Sequence, residues 1–357
     1  MRFLSRAAVS VAALGLLLSA CGGAAPPAPA SSSGAPGTTA APASAAAPDN
    51  VTFIAGYKPQ ADVSFVGPYV AQAKGFYRQE HLNVTIKHVV QTGENYKLVE
   101  AKQADVTTAP GADIITGIAN EGVPLIAIAM LTQRGDGGFV TLASSGITSP
   151  KQWEGKTVGY KGFPGPVYLG LLKKFNVDRS KIHEVSVGYD PMILAQKKVD
   201  VLPVFLSNEP DILEKAGYKV NVLDPANYGI TFLGQTWVVN AAELKTRPDV
   251  LRRWLKASLE GLYYAFAHPK EAIDIVMQYA PQEDRAHQTF MLGVEQKNSI
   301  TDLTKQRGLG WMTAAQWSAT QTLMVQTDQV KQPLDVSRYF TTSLLSQIYK
   351  GGQLIWP

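Results

Sequence analysis

Cysteine is nearly absent from these 357 residues: one occurs, Cys21. A single thiol excludes any internal disulfide, so stability has to come from the size of the core. It also excludes the clustered thiolates of zinc and iron–sulfur sites. The histidines His81, His88, His183, His268 and His287 are scattered, with no His-x-x-x-His spacing that would hold a metal instead. Neither a Gly-x-Ser-x-Gly elbow nor a complete Gly-x-x-x-x-Gly-Lys-Ser/Thr phosphate loop occurs. On these absences no catalytic site, metal or cofactor is expected. Charge of one sign is lacking too. The 33 basic and 29 acidic residues nearly balance at +4, and no basic stripe of the kind that neutralises phosphates is found, which argues against a nucleic-acid partner. Internal repeats are missing, so a solenoid is not expected. The apolar run Ala7 to Leu18 is shorter than the ~20 residues a bilayer-spanning helix needs.

What is present begins with an export pattern. Arg2 and Arg6 precede the apolar run, and small residues follow it. Residues 1–20 are therefore expected to be a cleaved signal peptide. The site Leu18-Ser19-Ala20-Cys21 resembles the lipobox of bacterial lipoproteins. That resemblance implies a lipid-modified Cys21 and a chain anchored in the cell membrane on its extracytoplasmic face. Residues 21–49 are almost wholly Ala, Pro, Ser, Gly and Thr. Such a composition buries too little apolar surface to offset its ordering entropy, and it predicts a tether.

From Asn50 onward, β-rich runs alternate with helical patterns, the signature of an α/β fold with largely parallel sheets. Strands are predicted at Val51–Ala55, Val84–His88, Asp105–Thr108, Leu125–Leu131, Phe139–Ala143, Thr157–Tyr160, Ile182–Val187, Val199–Phe205 and Thr236–Asn240. Beyond Asn240 the periodicity becomes helical, at Pro248–Ala267, Pro269–Tyr279, Glu283–Glu295 and Thr313–Val325. More than 300 residues exceed what one core usually covers, and two lobes are expected.

The stretch Tyr69-Val70-Ala71-Gln72-Ala73-Lys74-Gly75-Phe76-Tyr77, followed by Glu80-His81-Leu82-Asn83-Val84, resembles the opening of substrate-binding proteins of thiamine-pyrimidine, riboflavin, sulfonate and nitrate importers. Lys97-Leu98-Val99, Ala104-Asp105-Val106, Pro124 to Ala129 and Trp153 to Gly159 continue the resemblance in order. It implies a type II periplasmic-binding-protein fold of two α/β lobes with a hinge of two crossover strands. Residues 50–139 and 239–357 would form lobe I and 140–238 lobe II, with crossings near Gly138–Thr141 and Gly234–Val239. A monomer is implied that closes over a small molecule and hands it to an ABC permease and its ATPase. Fungal relatives in this family make the thiamine pyrimidine at a Cys-rich iron site with pyridoxal phosphate, and the single cysteine argues against that activity.

Ligands of open α/β sheets sit beyond the carboxyl ends of the strands, where loops converge. That rule selects Tyr57, Asp62, Ser64 and Phe65 after the first strand, Thr92 and Asn95 after the second, and Pro110 after the third. In the second lobe it selects Tyr160, Phe163, Tyr189, Asp190, Asn208 and Glu209, and near the return crossing Trp237. The pyrimidine-binding branch carries Asn and His where Ser64 and Phe65 stand. Phe65 suits stacking on a broad ring instead, sandwiched with Tyr160, Phe163 or Trp237. Plain structural roles stay open: Phe65 or Trp237 in the core, Thr92 as a helix cap, Pro110 in a turn, Asp190 and Glu209 solvated. The aromatic content of these loops predicts a flat heteroaromatic vitamin, riboflavin first. The thiamine pyrimidine precursor, a sulfonate or nitrate, and a surface lipoprotein that has kept the fold without a ligand remain alternatives.

Overall fold

In the computed structural model, residues 47–89, 93–162 and 164–355 are described; Cys21, Thr92 and Phe163 lie outside them. Ten strands carry the architecture: β1 (Asp49–Ala55), β2 (Leu82–His88), β3 (Val106–Pro110), β4 (Leu125–Met130), β5 (Gly137–Leu142), β6 (Thr157–Tyr160), β7 (His183–Ser186), β8 (Leu202–Phe205), β9 (Val220–Leu223) and β10 (Gln235–Asn240).

Successive side chains of a strand point to opposite faces, and this places two apolar layers on the first sheet. Phe53 of β1 and Trp237 and Val239 of β10 enter one layer; Ile54 and Val238 enter the other. The sheet order is β2-β1-β3-β10-β4. β1 is parallel to β2 and β3, and β10 is antiparallel to both its neighbours. In the second lobe β8-β5-β9 form an antiparallel sheet and β6 lies parallel to β7. A bond from Gly159 N to Val201 O (2.9 Å) and a parallel bridge between Val158 and Val201 join the two pieces. The joined order β7-β6-β8-β5-β9 repeats that of the first sheet. In each sheet the antiparallel strand, β10 or β5, is the one entered by crossing from the other lobe.

The crossings lie side by side at 131–136 and 230–235. Leu131 N donates to Gln235 O (2.7 Å), Gly135 N to Phe232 O (2.9 Å) and Gln235 N to Thr132 Oγ1 (3.0 Å). A Cβ on Gly234 would stand 2.0 Å from Thr132 O, so only glycine lets these segments run so close.

The helix Val63–Lys74 packs on the helix Pro248–Ala267 at a similarly close point. A Cβ on Gly261 would meet Gly67 O at 2.1 Å. Pro68 within the first helix has no N–H to give Ser64 O. The indole Nε1 of Trp237 donates to that carbonyl instead, at 3.0 Å. Trp237 in turn meets Trp254 edge to face at 5.0 Å. Among the described residues no helix is long and apolar enough to cross a membrane.

Candidate functional site

The strand ends that face the gap between the lobes bring together Tyr57, Lys161, Tyr189, Phe205 and Glu209. Lys161 directly follows β6, and Glu209 opens the helix Glu209–Lys215 after β8. Glu209, 1% exposed, accepts from Phe205 N at 2.7 Å and from the Lys161 ammonium. The same ammonium lies 4.8 Å from the ring centres of both Tyr189 and Phe205, a cation–π arrangement. From the first lobe, the ring of Tyr57 comes within 5.6 Å of Tyr189. Burial, reinforced by Tyr189 and Glu209, raises the Tyr57 phenol above its ordinary range, so it stays a hydrogen-bond donor. Tyr96 Oη donates to Asp113 Oδ2 at 3.0 Å, and burial raises both groups.

Deeper in the seam between the lobes, three carboxyls meet. Asp62 caps the helix Val63–Lys74, accepting from Ser64 N at 2.8 Å and from the Ser64 hydroxyl. Glu295, from the helix Arg285–Ser299, accepts from Val63 N at 2.7 Å. Asp136, at the end of the first crossing, accepts from Ser207 N (3.0 Å) and from Ser207 Oγ (2.5 Å). Ser207 Oγ also lies 3.3 Å from Glu295 Oε1, so this hydroxyl joins the two lobes. Burial pushes Asp136 up to about 6 and raises Asp62; Glu295 is raised further by burial and by the charges of Asp62 and Asp136. Along the same seam His287 contacts Asn208 Oδ1 (2.8 Å) and Asp211 Oδ2 (2.7 Å), and Lys215 pairs with Asp284 (3.1 Å). These contacts bridge the two lobes.

Of the residues selected from sequence, Tyr57, Tyr189 and Glu209 converge at the mouth, and Asp62 and Asn208 reach the seam. Phe65 is 2% exposed and meets His88 edge-on at 5.4 Å inside the core. Trp237 is fully buried on the proline-containing helix. Their expected sandwich around a ligand ring is therefore replaced by core packing: both rings lie on the inward face of their elements, where apolar burial is greatest. Ser64 is the partner of Asp62. Asn95 donates to Thr107 Oγ1 (2.7 Å) and Thr108 O (2.9 Å), tying its helix to β3. Pro110 ends β3, Tyr160 ends β6 half-buried, and exposed Asp190 accepts from Met192 N at 2.9 Å.

Lys161, Phe205, Asp136, His287 and Glu295 were not selected. Lys161 and Phe205 sit within loops the strand-end rule identifies. For Glu295 a signal existed: it falls on the buried stripe of its helix with His287, Met291 and Leu292, and a charge on an apolar stripe is seldom left unpartnered. Among the described residues no cluster of three or more His, Cys, Asp or Glu has the arrangement of a metal site.

Paired sheets of the same strand order, with exchanged antiparallel strands, define the periplasmic-binding-protein fold. The periplasmic aliphatic sulphonate binding protein SsuA of Escherichia coli superposes with a TM-score of 0.64 over 82% of this chain and 91% of its own, at 12% identity. A family described as NMT1/THI5 like matches residues 62–272, and the chain belongs to that family. Among relatives, the riboflavin-binding protein RibY of Chloroflexus aurantiacus is 27% identical over 92% of this chain and 95% of its own length. The formylaminopyrimidine-binding protein of Halalkalibacterium halodurans is 21% identical over 82% and 90% respectively.

Proposed function

We propose that this chain is the extracytoplasmic substrate-binding lipoprotein of an ABC importer, anchored through Cys21, and that it captures riboflavin by hinge closure without catalysing a reaction. Lobe I would comprise the chain from β1 to the first crossing and from β10 onward, and lobe II β5 to β9, so the bounds fall a few residues before the 139/140 and 238/239 divisions expected from sequence; residues 1–20 would be removed, with 21–49 as tether. The observation that carries the ligand assignment is the aromatic mouth. Tyr57 from one lobe meets Tyr189 from the other, and Phe205 flanks Tyr189 across the shared Lys161 ammonium, which puts aromatic surface from both lobes at one mouth for a flat ring to stack on as the lobes close. Contacts from both lobes favour the closed form, which the permease then recognises. The likeness to a riboflavin-binding relative along nearly the whole chain supports the same ligand.

The pyrimidine-binding relative supports a second reading, with a thiamine-pyrimidine precursor in the same mouth. Titration of the protein with riboflavin, following quenching of flavin fluorescence, separates the two. Saturable one-to-one quenching at micromolar affinity or tighter is expected. No quenching, with a thermal shift from an aminopyrimidine instead, would discard the flavin and keep the importer. A thermal shift from a sulfonate or nitrate instead would keep the importer with that ligand, and no shift from any of these would favour a surface lipoprotein that has kept the fold alone.

A further inference from the structure

We propose that closing the two lobes takes up protons at the seam formed by Asp62, Asp136 and Glu295, so that the closed state is favoured in mildly acidic solution and weakened toward alkaline pH. This goes beyond the ligand assignment and does not depend on it.

The seam is short of donors. Ser207 has one hydroxyl proton; given to Asp136 Oδ2, it leaves none for Glu295 Oε1. Asp136 Oδ1 is buried with no hydrogen-bond partner in the structure. Nor, among the described residues, does a free cation face the three carboxyls. Lys161, from the second lobe, is committed to Glu209, whose own charge adds to that around Asp136. Arg134, two residues before Asp136, is bound to Asp224 Oδ2 (2.7 Å) and Asn298 Oδ1 (2.9 Å). On the helix of Glu295, His287 is held by Asn208 and Asp211, and Gln288 accepts from Ala61 N at 2.6 Å. Tyr69, on the helix that Asp62 caps, is bound to His88 at 2.7 Å.

Three carboxyls thus share one serine hydroxyl, two backbone amides beside it, and the cap of Ser64. Burying them all ionised is costly, and a proton between them removes both the repulsion and the unpaired acceptor. The groups come from both sides: Asp62 and Glu295 from the first lobe, Asp136 with Ser207 from the crossing and the second. Separation of the lobes would hydrate them and return each to the ordinary carboxylate range. The direction follows. Groups whose proton affinity is higher in the closed form favour closure below their closed-state value, and that gain is lost as pH rises through it, about tenfold per pH unit for each proton.

Small-angle scattering on the full chain between pH 5 and pH 8 tests this without a ligand, since residues 1–46 are common to every sample. The wild type is expected to expand as pH rises. The double variant Asp136→Asn, Glu295→Gln is expected to stay compact at pH 8. A wild-type radius of gyration that does not change with pH overturns the proposal, as does a double variant that still expands. A His287→Gln variant that alone abolishes the response would assign it to the histidine bridge and also overturn it. Circular dichroism checks folding. Should the double variant not fold, Asp136→Asn replaces it, with hydrogen exchange at the Leu131 and Gly135 amides, which hold the crossings together, as the second readout.

Discussion

The Lys161–Glu209 pair joins two strand ends while leaving its cation against the rings of Tyr189 and Phe205. Replacing Lys161 by Met would leave the buried Glu209 carboxylate without its counter-charge. A loss of about 3–5 kcal/mol is expected in urea unfolding, partly recovered when Glu209→Gln is added, because a lone buried charge costs more than a removed pair. Tyr57→Ala tests the mouth directly. Under the proposed riboflavin assignment, affinity should fall about three- to tenfold, the size of one aromatic contact beyond burial. Trp237→Phe keeps most of the ring volume but strands Ser64 O, and should lower stability by about 1–3 kcal/mol without changing ligand specificity. At this scale Tyr57, Tyr189 and Glu209 were legible because each directly follows or closely trails a strand end. Phe65 was not, since a residue one turn into a helix faces core or cleft according to a rotation that its neighbours impose.

Among elements, the helix Arg285–Ser299 does more than cover the first lobe. It supplies Glu295 and His287 to the seam, while its N-cap Asp284 receives Lys215 from the second lobe. Truncation by His287→Ala removes both contacts to the second lobe. With the proposed ligand riboflavin bound, dissociation is expected to quicken about five- to tenfold in stopped-flow measurements, the worth of one or two net hydrogen bonds. The helix pair at Gly67 and Gly261 tolerates no Cβ; Gly261→Ala should lower the melting temperature by pushing these helices apart. Bounds of Pro248–Ala267 and Pro269–Tyr279 agree with their sequence pattern because proline opens each helix and a wide apolar stripe runs its length. β9 was not foreseen. It is a four-residue edge strand with Val222 47% exposed, so it lacks the apolar alternation that marks a buried strand.

For the molecule as a whole, two sets of carboxyls pull stability in opposite directions with pH. Glu184 and Asp249, beside Arg179 and Arg252, are held below their ordinary values, as is Asp284 by backbone and side-chain donors led by His287 N. Their contribution is present above the unfolded values and fades as pH falls through the folded ones. Asp62, Asp136 and Glu295 are raised, so theirs is present in acid and fades as pH rises past about 6 for Asp136. Thermal unfolding should therefore show a stability maximum on the mildly acidic side of neutrality, and Asp136→Asn should flatten the decline toward pH 8.

Strand and helix patterning by itself determined an α/β chain, because alternation and helical periodicity are local properties that each segment carries alone, and the length of the folded part pointed to two lobes. Strand ends also pointed to the loops that carry Tyr57, Tyr189 and Glu209. Only the tertiary structure decided which side chains in those loops meet. Tyr57 reaches Tyr189 across 132 positions of sequence, and Ser207 reaches Glu295 across 88. Such pairings depend on how two lobes close on one another, a geometry set by crossings and packing that no short stretch of sequence contains.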